Sequence, residues 1–140
     1  MAIEKCQKLG VIPDRVFALE FLDINGQNQR IYFFLEADRG TMPVTRHSLS
    51  GSSFARKLLA YAATWTQKIH RQNLDIDRFR VLTVTTIPGR LAALVVACSQ
   101  LERGHGLFLF GDKSILEKPG DIFSRVWQTG RPGEMGGMLD

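Results

Sequence analysis

Apolar runs with few polar interruptions fill two neighbouring stretches, VFALEFLD (16–23) and QRIYFFLEAD (29–38), both rich in aromatic and branched residues. That composition predicts two strands. Between them lies INGQN, whose Asn25-Gly26 pair tolerates the positive φ of a type I′ turn, so the strands are expected to form an antiparallel hairpin. Residues 39–53 are punctuated by Gly, Pro and Ser and read as a loop. Phe54, Leu58, Tyr61, Ala62, Trp65 and Ile69 then recur at three- and four-residue steps, predicting a helix capped by Ser52 or Ser53 and running to about Arg71. FRVLTVT (79–85) reads as a strand. Leu91, Leu94, Val95, Cys98 and Leu101 mark a second amphipathic helix, and GLFLFGD (106–112) a short strand of the buried kind. Residues 2–9 suggest a short helix, Trp127 an anchor, and the Gly-rich end a frayed tail.

The predicted order is hairpin, α, β, α, β. Strands joined through helices run parallel by right-handed crossovers. Added to the hairpin, they make a mixed sheet with helices packed on it, an α/β fold. The expected organisation is one domain over residues 1–128 and a flexible tail over 129–140.

Composition narrows the function classes. The chain has 140 residues, 44% hydrophobic and 23% charged, ordinary values for a globular domain with its own core. No run approaches the roughly 18 apolar residues of a membrane span, and the start lacks a signal-peptide pattern, so a cytoplasmic protein without membrane partners is expected. Cys6 and Cys98 lack CxxC spacing and read as reduced thiols. The net charge of +4 is unevenly spread. Seven Lys/Arg lie between Arg46 and Arg80 against two acids, Asp75 and Asp77. Such a concentration attracts phosphate backbones, or else forms a solvated helix face.

Candidate chemistry begins at the end of the second strand. Side chains alternate along a strand, so Tyr32, Phe34, Glu36 and Asp38 share a face that turns from apolar to acidic. Two such carboxylates suit a hard cation such as Mg²⁺; the competing reading has Arg39 or Arg30 neutralising them. Asp14 lies about as far before the turn as Glu36 lies after it, so simple register brings the two together. Asp14, Glu36 and Asp38 are then expected to converge at one end of the sheet, as metal-assisted phosphodiester hydrolysis requires.

Pro13-Asp14, a hairpin, and Glu36-Ala37-Asp38 together resemble the signature of the PD-(D/E)XK nuclease superfamily, with its restriction-endonuclease-like fold. Lys57 to Ala62, KLLAYA, is similar to the QxxxY helix motif of RecB-type members, with Lys57 in place of the glutamine. FFLEADRGT followed by RKLLAY resembles the C-terminal region of the replication-relaxation family of plasmids and other mobile elements. The resemblance spans roughly residues 11–127. It implies action on DNA in extrachromosomal replication or conjugative mobilisation, beside other replication or mobilisation proteins, with Mg²⁺ or Mn²⁺ as cofactor. Asp14 and Glu36 become metal ligands and Asp38 a third ligand or general base. In active members a lysine follows the glutamate by two positions; here Asp38 stands there, and Lys57, with Arg56 in reserve, is the replacement cation. Arg56, Lys57, Lys68 and Arg71 would contact DNA. The alternative is a degenerate site on a DNA-binding or protein-interaction platform. The family's upstream winged-helix region is not within these residues, so sequence-specific recognition by this chain alone is not expected.

Other signals are weaker. GLFLFGDKS has the wrong spacing for a phosphate-binding loop. His47, His70 and His105 lack zinc spacing to any cysteine, and His70 suits the end of the long helix. No GxSxG elbow accompanies the serines. Tyr61 and Trp65 lie on the apolar stripe and read as core.

Overall fold

The computed structural model describes residues 13–40, 44, 53–74, 78–87, 89–102, 104–117 and 125–139, with side chains described for all of these but 72–74. The hairpin is present as β1 (Arg15–Leu22) and β2 (Asn28–Asp38), antiparallel and paired from Arg15↔Leu35 to Leu22↔Asn28. Its turn differs from the expected type I′. Gly26 alone takes positive φ, at 75°, and its N–H donates to the Asp23 carbonyl at 2.9 Å. The Asp23 carboxylate accepts from the amides of Asn25 and Gln27, both at 2.9 Å, which holds a wider five-residue loop. An Asx-type side chain ahead of the glycine thus outweighs the Asn-Gly preference.

Five further pieces follow the hairpin up to the last parallel strand: α1 (Phe54–Thr66), α2 (Ile69–Leu74), β3 (Phe79–Thr85), α3 (Arg90–Ser99) and β4 (Phe108–Asp112). A 3-10 turn, His105–Leu107, leads into β4. Strands β2, β3 and β4 are mutually parallel. Beyond them α4 (Ser114–Glu117), β5 (Trp127–Thr129) and β6 (Met135–Gly136) complete the described chain. The sheet has six strands in sequence order, mixed in direction, with antiparallel additions at both sides of the parallel centre. The fold is mixed α/β, and among the described residues four α-helices accompany the sheet.

Both crossover helices lie on one face, as same-direction right-handed crossovers dictate. Phe54, Leu58 and Tyr61 of α1 and Leu94, Val95 and Cys98 of α3 meet Phe34, Val81, Phe108 and Phe110 from the sheet. On the opposite face Ile31, Phe33, Leu82, Val84 and Leu109 pack with Ile115, Trp127 and Met138. The alternation predicted for β2 therefore holds, Phe34 going to one core and Phe33 to the other.

Two corrections concern the long helix and the tail. The single helix expected up to Arg71 breaks at Lys68, which takes the left-handed conformation at φ 56°. The break turns α2 so that His70, expected late on one long helix, is buried against the Phe79 ring at 4.8 Å. The flexible tail expected over 129–140 is instead ordered through residue 139. Met138 is fully buried, and the Arg80 guanidinium donates to the carbonyls of Gly137 (2.7 Å), Met138 (3.2 Å) and Gly106 (3.1 Å). One glycine of this segment, Gly130, serves for close approach. A Cβ on Gly130 would lie 2.7 Å from Cys98 Sγ and 2.8 Å from the His105 carbonyl oxygen.

The short helix expected over 2–9, most of the 39–53 loop, and Cys6 lie outside the described residues. Cys98 is a free, buried thiol, as expected. Among the described residues no helix is long and apolar enough to cross a membrane.

Candidate functional site

The acidic end of β2 is built by register. Asp14 immediately precedes the Arg15↔Leu35 pair, and its N–H donates to the Leu35 carbonyl at 3.0 Å. Asp14 Oδ2 in turn accepts from the Ala37 amide at 2.8 Å. The aspartate expected beside Glu36 is therefore there, on the exposed side of the strand end.

Glu36 points to the helix-covered face and is 1% exposed. An ionised carboxylate buried so deeply requires compensation. Two residues one turn apart on α1 supply it, because positions i and i+4 of a helix share a face. Lys57 Nζ lies 3.1 Å from Glu36 Oε2, and the Tyr61 hydroxyl donates to Oε1 at 2.6 Å. Burial pushes the Tyr61 phenol strongly up, and the negative charges of Glu36 and Asp14 add to the effect. The hydroxyl is thus a fixed donor to Glu36. Ser53, which caps α1 by accepting the Arg56 amide at 3.1 Å, sets the rotation that presents both residues.

Asp38, two residues further on the same face, is also buried but serves a separate set of partners. Its Oδ2 accepts from the Thr85 hydroxyl at 2.8 Å and from Arg90 Nε at the start of α3. Its Oδ1 accepts from the Gly40 amide at 3.4 Å. Arg90, rather than Arg39 or Arg30, is the arginine that neutralises the acidic end. Between the two carboxylates, Thr83 is level with Glu36 in the β2–β3 register, and its buried hydroxyl has no hydrogen-bond partner among the described residues.

The expected convergence of three carboxylates does not form. Among the described residues no group of three His, Cys, Asp or Glu side chains is placed to hold a metal ion. Both oxygens of Glu36 are engaged by Lys57 and Tyr61, and Asp38 by Arg90 and Thr85. A hard divalent cation binding here would have to displace these partners from the carboxylate oxygens. Lys57 pairs with Glu36, Asp14 binds the Ala37 amide on the neighbouring strand end, and Asp38 is held by Arg90 from the next crossover.

The expected DNA-contacting residues also separate. Helix α1 is about 20 Å long. Arg56 and Lys57 stand at its start, by the acidic end, where Arg56 is half-buried. Lys68 and Arg71 stand past its end, beside the starts of β2 and β3. There they line a groove of about 790 Å³ with Arg78, Arg80, Arg131 and Trp65. Glu102 is the one acid among the described lining residues. Arg71 and Arg78 continue into an adjoining hollow of about 570 Å³ that also includes Arg30. Trp65, expected in the core, is 45% exposed.

Arg78, Arg131 and the Tyr61–Glu36 bond were not legible as site features. The i, i+4 spacing of Lys57 and Tyr61 was the available signal for the last. Nothing local in the sequence brings Arg131 to Lys68. Compared with family models, curated proteins and solved structures, the chain matches none of them.

Proposed function

We propose that this chain is a nucleic-acid-binding module whose acidic end is a structural ion-pair network and whose basic groove contacts the phosphate backbone. The observation that carries this reading is the groove itself. Lys68, Arg71, Arg78, Arg80 and Arg131 come from three segments and line one concavity with a single acid among its described lining residues. Clustered guanidinium and ammonium groups in a concavity focus positive potential and raise the local concentration of polyanions. Lys57 and Arg90 bind internal carboxylates, while in the groove Arg80 also holds backbone carbonyls and Arg131 lies 4.0 Å from Glu134. The order of a hairpin followed by α-β-α-β supports a restriction-endonuclease-like arrangement. The ExDRGT resemblance supports a setting in plasmid or mobile-element replication or mobilisation, with DNA as the ligand and other proteins of that machinery as partners.

The test is fluorescence anisotropy with labelled DNA at low and moderate salt. About four phosphate contacts give an affinity loss of roughly 50-fold or more on a fourfold rise in salt. Lys68→Gln with Arg78→Gln should weaken binding and flatten the salt slope. Binding that ignores both salt and these substitutions refutes the groove as the site.

A second reading, metal-dependent phosphodiester hydrolysis, is favoured by one observation, the proximity of Asp14, Glu36 and Lys57. It requires a cation to displace Lys57 from Glu36. Calorimetric titration with Mn²⁺ separates the two readings: the structural network gives no heat of binding that depends on Glu36, whereas the nuclease reading demands one.

A further inference from the structure

We infer that the basic groove takes single-stranded rather than duplex nucleic acid, with the Trp65 indole as a stacking platform for a base. The inference rests on the reading of the groove as a nucleic-acid site and names the form of its ligand. Near the end of α1, Trp65 lines the groove with nearly half of its surface open to solvent. An indole in such a place is costly to leave in water, since aromatic surface gains by burial. The other tryptophan, Trp127, is buried at 1% exposure and serves the core.

Trp65 packs beside Gly104: a Cβ there would lie 4.0 Å from Trp65 Cε3 and 3.5 Å from the Ala62 Cβ, ordinary contact distances. Gly104 has φ 88°, a conformation that disfavours any larger residue. Immediately beyond the indole, Lys68 sits in its left-handed conformation, and both Lys68 and Arg78 are exposed. Arg78 and Arg71 are shared with the adjoining hollow, where Arg30 is paired with Glu20, so the positive strip ends at these two arginines.

An aromatic face beside a basic strip is the combination that single strands select. Phosphates follow the charges while an unstacked base lies on the ring, whatever its identity. In a duplex the base faces are already stacked on one another, and only edges and phosphates are presented to a groove wall. Trp65 therefore contributes to binding one form and little to the other.

The test compares a labelled oligo-dT of about 12 nucleotides with a duplex of equal length in the same buffer, by anisotropy and intrinsic tryptophan emission. The single strand should bind about tenfold or more tighter and quench the emission of exposed Trp65. Trp65→Ala should lower single-strand affinity on the order of 5- to 100-fold and leave duplex binding unchanged, while Trp65→Phe retains most of it. If Trp65→Ala changes neither ligand but Lys68→Gln with Arg78→Gln weakens both, the stacking inference falls and the groove reading stands. A duplex bound as tightly as the single strand also overturns the inference. If the charge variants too leave both ligands unaffected, the groove reading falls with it.

Discussion

Glu36 shows how a single buried charge organises its surroundings. It lies buried on a central strand, where Lys57 and Tyr61 bind its two carboxylate oxygens. Removing one partner from a buried pair leaves the other charge uncompensated, which costs more than the pair contributes. Lys57→Ala should therefore destabilise the fold by about 2–4 kcal/mol, measured by urea unfolding. Tyr61→Phe removes one hydrogen bond to a charged acceptor and should cost about 1–3 kcal/mol. A Lys57→Ala variant as stable as the parent would mean that Glu36 does not depend on this pair. The placement of Asp14 and Glu36 was legible because strand period and a hairpin are local rules. Capture of Asp38 by Arg90 was not, because the two are joined only when α3 docks on the sheet.

At the scale of elements, most starts and types were written in hydrophobic periodicity, and the departures have definable causes. The sequence does not mark Lys68 as a break, because lysine has no preference for the left-handed region; tertiary burial of His70 against Phe79 imposes it. The Gly-rich segment after Trp127 looks unstructured by composition alone, yet Gly130 permits its close approach to α3. Gly130→Ala tests that account. The added methyl would meet Cys98 Sγ at 2.7 Å and a carbonyl oxygen at 2.8 Å, and the backbone atom cannot rotate away. The variant should lose about 1–3 kcal/mol in urea unfolding, the cost of overpacking a filled interior. No loss would mean that this segment is loosely docked.

Across the whole molecule, charge is sorted to opposite ends of the parallel strands. Carboxylates and their cations sit where β2 and β3 finish, and the basic groove opens where those strands begin, about 16 Å away along β2. No local window of sequence reports this, since Lys68, Arg78 and Arg131 come from three segments. The core also sets the alkaline limit of stability. Burial pushes the Cys98 thiol from its ordinary 9.0 up to about 12, and the Tyr61 phenol is raised as well. Both groups are neutral when protonated, and the unfolded chain releases those protons at ordinary values. Stability is therefore complete below about pH 9 and declines as pH rises towards the folded-state values. Urea midpoints should be level from about pH 7 to 8.5 and lower above pH 10. A midpoint unchanged in that upper range would contradict the burial of these two groups.

The division between a structural acidic end and a binding basic end is decided by anisotropy titration of one labelled single strand against two variants in parallel. Lys68→Gln with Arg78→Gln should bind at least about tenfold more weakly than the parent, whereas Glu36→Gln, once shown to be folded, should bind as the parent does. Loss of binding in Glu36→Gln with full binding in the groove variant would reverse the assignment and return the acidic end to the centre of the function.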